Sequence, residues 1–155
     1  MKILIPTDGS ALALDAVHHV LALLRAGLRA ELVLANVQEP THLYELLMTS
    51  DEGTREAAAR AAGEHALQPA EALLRAAGID FTSEIAVGEP AHTLLSLAER
   101  EGCDVVVIGS HGTGGLRKAL LGSVSERLVR DARLPVTVVP HTAPDEVAAE
   151  VADAA

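Results

Sequence analysis

Residues Gly109 to Ser125, GSHGTGGLRKALLGSVS, combine spaced glycines with small polar side chains. They follow an unbroken apolar run, Val105-Val106-Val107-Ile108, and lead into Ser123-Val124-Ser125-Glu126, which has the form of a helix capping box. A strand, a glycine-rich turn and a helix start in that order suit an anion. Backbone N–H groups freed by glycines and the unpaired N–H groups of a helix N-terminus can converge on a phosphate. The same residues also suit a plainer arrangement, with glycines serving tight turns and Ser123 capping its helix.

Other candidates are sparse. Asp8 could accept hydrogen bonds from ribose hydroxyls, help hold a metal ion, or order the following helix start as an Asx-turn residue. His111, between Gly109 and Gly112, could donate to a phosphate or be a solvated loop residue, and Arg117 and Lys118 could neutralise phosphate charge or form solvated surface. The Walker pattern fails, because Gly114 is followed by Gly115 where a lysine is required. The dinucleotide pattern GxGxxG also fails, since its third glycine would fall at Arg117. His18 and His19 are adjacent on an expected helix and so do not face one another, and the remaining histidines are scattered. With GxSxG missing as well, no catalytic residue and no metal ligand is assigned.

These groups need a scaffold, and the hydrophobic pattern supplies one. Residues 2–5 (KILI), 31–37 (ELVLANV), 79–87, 104–108 and 134–140 (LPVTVVP) read as strands. The alternation in 79–87 suggests a half-exposed strand toward a sheet edge. Helices are expected from Ser10 to about Gly27, from about Asp51 to Ala77, from Pro90 to about Glu101 and from Ser123 to about Ala132. Pro69 costs about 3 kcal/mol inside a helix, which predicts a break near Gln68. Residues 41–50 read as a helical turn or a loop. Five strands alternating with helices predict a three-layer α/β domain around a parallel sheet with right-handed crossovers.

Composition narrows the function. The 155 residues fit one domain, long enough to bury about two thirds of the unfolded chain's surface. Hydrophobic residues make up 49% and aromatic residues 1%, so the core is aliphatic. The formal charge of −10 and the near absence of stacking rings argue against nucleic-acid binding. The N-terminal apolar run is too short for a signal peptide, and nothing approaches a membrane span. The single Cys103 excludes an internal disulfide, fits a reducing cytoplasm, and reads as a packed small residue.

The spacing Gly109-x2-Gly112-x9-Gly122-Ser123 matches the G-2x-G-9x-G-(S/T) signature of the nucleotide-binding universal stress proteins. The flanks ILIPTDGS, LANV, VGEP and LLGSVSERLVRDARLPVTVVP extend the match, so residues 2–140 of the chain resemble that family. The resemblance implies a Rossmann-like three-layer α/β/α sandwich whose five parallel strands run in the order 3-2-1-4-5. It implies one domain over residues 1–140, with 141–155 expected as an acidic, flexible tail beyond it. Pro6 and Asp8 would flank a nucleoside, the backbone of Val37 would read adenine, and Ile108, Gly109, His111 and Gly112 would line the ribose and phosphate track. Gly122, Ser123, Val124 and Ser125 would hold the phosphates of ATP, accompanied by magnesium.

The function so implied is a cytoplasmic, ATP-binding, stress-response or regulatory module acting on an unknown protein partner. It would be a homodimer through the last strand, residues 135–139, with neither nucleic acid nor membrane as partner. Hydrolysis would be slow, since the loop offers no evident water-activating base. An ATP hydrolase or nucleotidyl transferase using the same pocket is the alternative. A phospho-acceptor module would need an acceptor Asp and a lysine near Val87 and His141.

Overall fold

The computed structural model describes residues 1–40, 51–111 and 121–141. Their strands are β1 (Lys2–Pro6), β2 (Glu31–Gln38), β3 (Thr82–Val87), β4 (Val105–Gly109) and β5 (Val136–Val139). All pair in parallel, in the order β3-β2-β1-β4-β5. The helices are α1 (Leu14–Arg25), α2 (Glu52–Ala76), α3 (Pro90–Arg100) and α4 (Ser123–Asp131). The expected class and strand order are therefore present.

Strand alternation divides the apolar side chains between two layers. Ile3, Ile5, Leu32, Leu34 and Val107 face α1 and α2, where they meet Val17, Val20, Leu67 and Leu74. Leu4, Val33, Ala35, Val106 and Ile108 face α3 and α4, where they meet Leu94, Leu97 and Leu128. Both layers are aliphatic at their centres, as the composition requires, and Phe81 is only partly buried at the margin of the first. Cys103 packs at the margin of the second, and burial pushes its thiol pKa up. The edge position expected for the third strand is also seen, with β3 half-exposed and outermost.

Three local expectations need correction. Regular helix α1 begins at Leu14 rather than Ser10, because residues 10–13 form a tight turn in which Ser10 Oγ accepts from the Ala13 N–H at 3.2 Å. Strand β3 begins at Thr82 rather than Ile79, whose N–H is still bonded to the Leu74 carbonyl at the exit of α2. Helix α2 runs through Pro69 without a break. Gly63, Ala66 and Leu67 are buried before the proline and Ala70 and Leu74 after it. Two buried leucines contribute about 1.5–3 kcal/mol each, which offsets the cost of a helical proline. The stretch 41–50 and the tail from residue 142 lie outside the described residues.

Among the described residues, no helix is long and apolar enough to cross a membrane. Replacing the internal proline should restore a helical hydrogen bond that α2 forgoes. Pro69→Ala is expected to raise the unfolding free energy by about 1–3 kcal/mol in urea titrations. An unchanged or lower stability would show that α2 gains nothing from regular geometry at this point.

Candidate functional site

The winding direction of the sheet reverses between β1 and β4, whose carboxyl ends lie side by side. In β1 the Lys2 carbonyl accepts from the Asp104 N–H at 2.8 Å, while the Thr7 N–H donates to the Ala35 carbonyl at 2.9 Å. Even-numbered residues of β1 therefore turn their peptide groups toward β4, and odd-numbered residues turn theirs toward β2. Pro6 falls on the β4 side and has no N–H to donate. The register between β1 and β4 ends at Leu4↔Val106, short of Pro6. A crevice opens at the reversal, the position where open α/β sheets bind ligands.

The same alternation gives Val37 its significance. The Glu31 N–H donates to the Met1 carbonyl and the Ala35 carbonyl accepts from Thr7, both toward β1, whereas the Gln38 carbonyl accepts from Gly88 toward β3. The N–H and carbonyl of Val37 thus face the β1 side, beyond the point where β1 has ended. They present one donor and one acceptor to the crevice that Val37 lines.

Opposite them, α4 is anchored by its first turn. The Ser110 carbonyl accepts from the Gly122 N–H at 2.7 Å and from the buried Ser125 hydroxyl at 2.9 Å. The Ser125 hydroxyl also lies 3.2 Å from the Gly122 carbonyl. The expected capping box does not form: Gly122 occupies the N-cap and no side chain caps the helix. The first helical bond of α4 runs from the Glu126 N–H to the Gly122 carbonyl, so the N–H groups of Ser123, Val124 and Ser125 have no acceptor within the helix. Such a helix end is ready for an anion. Gly122 sits close against Ser110, whose carbonyl oxygen a Cβ there would meet at 3.3 Å, and a Cβ on Gly109 would lie 3.0 Å from the Leu12 carbonyl oxygen in the turn before α1.

These surfaces enclose a cleft of about 440 Å³. It is lined by Pro6, Asp8, Val37, Ile108, Gly109, His111, Gly122, Ser123, Val124 and Ser125, which the fold brings together from four chain segments. Gly112, Arg117 and Lys118 lie outside the described residues. Asp8 fills its turn role, with Oδ1 accepting from the Ser10 N–H at 2.9 Å. Gly9, at φ +85°, makes that turn possible against the backbone of Ala66. His111 accepts or donates at Nδ1 to the Ser110 hydroxyl, 2.9 Å away, while its Nε2 is buried with no partner among the described residues.

Residue types missed in the sequence also line the cleft, among them Asn36, Gln38, Pro90 and Leu94. A buried asparagine between apolar strand residues was the available signal for Asn36. Glu89 supports this wall from outside. Its carboxylate accepts from the Ala91 and His92 N–H groups at 3.3 and 2.9 Å, capping α3, and from Arg127 at 2.7 Å, joining α3 to α4. The bond from His92 is the main cause that holds its carboxyl below the usual carboxylate range. Among the described residues, no group of three or more His, Cys, Asp or Glu side chains is placed to hold a metal.

A family model described as the universal stress protein family matches residues 1–140. The chain is 31% identical over 138 residues to universal stress protein MJ0531 of Methanocaldococcus jannaschii, covering 89% of this chain and 81% of that protein. Its structure resembles that of MJ0577 from the same organism, with a TM-score of 0.73 and 30% identity over 92% of this chain and 96% of that one. It also resembles a universal stress protein solved in complex with cAMP, with a TM-score of 0.68 and 28% identity over 92% and 98% of the two chains.

Ser125→Ala removes the hydroxyl that ties α4 to the end of β4. The expected loss is about 1 kcal/mol of stability, read from chemical denaturation, with faster amide exchange in the first turn of α4. Unchanged exchange there would remove Ser125 as the anchor.

Proposed function

The chain belongs to the universal stress protein family, and from that premise we propose that it is an ATP-binding, stress-response regulatory module. The observation that carries this reading is the uncapped start of α4 facing Pro6, Asp8 and Val37 across one cleft. A relative solved with cAMP supports an adenine nucleotide as the class of ligand.

In this reading Pro6 and Asp8 flank the nucleoside, and the outward peptide groups of Val37 meet the edge of adenine. Ile108, Gly109, His111 and Gly112 line the ribose and phosphate track. The N–H groups of Ser123, Val124 and Ser125, with Gly122 before them, take the terminal phosphates. The Nε2 of His111, without a partner among the described residues, suits a phosphate oxygen in the tautomer that carries its proton there. Magnesium would arrive on the phosphates, as it does where a protein supplies few ligands of its own. Of the charge of −10, carboxylates beyond about 8 Å are screened at physiological salt, which leaves Asp8 and Glu39 as the acidic residues lining the cleft itself. A micromolar site needs about 8 kcal/mol, within reach of a buried base and several charge-assisted bonds.

The proposal includes cytoplasmic residence and a homodimer through residues 135–139. Strand β5 is a sheet edge, and all four of its residues are half-buried. The Pro135 and Val139 carbonyls accept from β4, so the odd-numbered residues of β5 face β4 and Val136 and Val138 turn their peptide groups outward. Pairing two such edges would cover them.

Calorimetry with magnesium and ATP tests the ligand. Ser123 is exposed at the helix start, so Ser123→Asp should leave the fold as stable or more stable by about 0.3–1 kcal/mol, while placing a carboxylate where phosphates bind. Binding to the wild type with at least tenfold weaker binding to the variant is expected. Absence of heat and of any thermal shift for the wild type at millimolar ATP would sink the nucleotide reading. For the dimer, sedimentation should give a dimeric wild type and a monomeric Val138→Pro, which loses an outward N–H while sparing the ladder to β4. A monomeric wild type would exclude the edge pairing.

A further inference from the structure

The Asn36 side chain, 3% exposed, donates from Nδ2 to the Thr7 carbonyl at 2.9 Å. A carbonyl only accepts, so the atom of Asn36 that meets it is the amide nitrogen. Asn36 Oδ1 then points the other way, where Gln38 Nε2 donates to it at 2.7 Å. The orientation of the second amide follows from that of the first. Gln38 gives one of its two amide N–H groups to Asn36, which fixes the amide plane, and its other polar atom, Oε1, is an acceptor with no hydrogen bond among the described residues.

Gln38 stands at the carboxyl end of β2, immediately after Val37. It borders both the 440 Å³ cleft and a neighbouring hollow formed with Asp8, Gly9, His65 and Pro69. Its side chain shares a face of the sheet with Asn36 and follows directly on the Val37 peptide groups. An acceptor held in one orientation discriminates. It favours a ligand that offers a donor and disfavours one that offers a second acceptor, because a polar pair that cannot bond is left desolvated.

We infer that Gln38 is a specificity-determining residue of the cleft, whose amide oxygen, oriented through Asn36 from the Thr7 carbonyl, accepts a hydrogen bond from a donor on the bound nucleotide. This inference rests on the nucleotide reading above. Two donors share the required chemistry: the exocyclic amino group of adenine and a ribose hydroxyl. Asn36 acts through Gln38 and is a positioning residue.

The test measures the affinities of the wild type and Gln38→Met for four ligands: ATP, inosine triphosphate, 2′-deoxy-ATP and 3′-deoxy-ATP. Methionine keeps the length of the side chain and removes both amide atoms, and a thermal melt checks that the fold persists. Gln38→Met is expected to weaken ATP by about threefold to tenfold and not to weaken the ligand that already lacks the donor. Loss of coupling with inosine triphosphate identifies the amino group, and loss with either deoxy ligand identifies that hydroxyl. Any effect on Asn36 itself is common to all four ligands and cancels in the comparison. A variant that weakens all four by the same factor, or none, overturns the inference while leaving the nucleotide reading intact. A wild type that binds none of them overturns the nucleotide reading as well.

Discussion

The site depends on one acceptor, the carbonyl oxygen of Ser110. Two donors reach it from α4, the Gly122 N–H and the Ser125 hydroxyl, while the Ser110 N–H is bonded to Val139 on β5. One peptide unit thus joins the end of β4, the start of α4 and the end of β5. Ser110 and Ser125 are both buried, so breaking either contact would leave a polar group desolvated. That cost keeps the first turn of α4 against the sheet. It also explains how the helix can leave its leading N–H groups uncapped by side chains: the turn is secured from below by Ser125.

The crevice itself has a different origin, in the placement of one proline. Proline is poorly tolerated within a central strand because it interrupts the ladder. Here it is the last residue of β1, on the β4 side, where interruption has the effect of parting two neighbouring strands. The walls so formed offer backbone dipoles rather than lysines or arginines among the described residues lining the cleft. Backbone donors do not titrate and cannot be acetylated. A chain with strong acidic excess can in this way present a locally favourable environment to an anion.

Much of this was legible in the sequence because it follows from periodicity and punctuation. Apolar runs located the strands, and Pro90 and Ser123 marked helix starts to within a residue. The glycine spacing, read with the block around Asp8, brought together residues that do line one cleft. Other features depend on relations that a linear pattern does not carry. Which peptide groups of Val37 are left over can be known only once β1 is seen to stop short of it. The capping box at Ser123 to Glu126 satisfied the local rule, yet tertiary contact at Ser110 assigned the hydroxyl role to Ser125. Pro69 satisfied a local rule for breaking helices, and burial on both sides of it prevailed. Asn36 stood out as an asparagine among apolar strand residues, but neither it nor Gln38 could be given a role, because an amide in a strand carries no signal of the direction in which it points.

The aliphatic interior has an optical consequence. With no tryptophan and with Tyr44 and Phe81 as the only phenyl-type rings, the folded chain absorbs very weakly in the near ultraviolet. A purine is a far stronger chromophore than the whole polypeptide. Were a purine nucleotide bound, the absorption spectrum of the complex would report mainly on the ligand, and concentrations taken from that spectrum would count ligand before they counted chain.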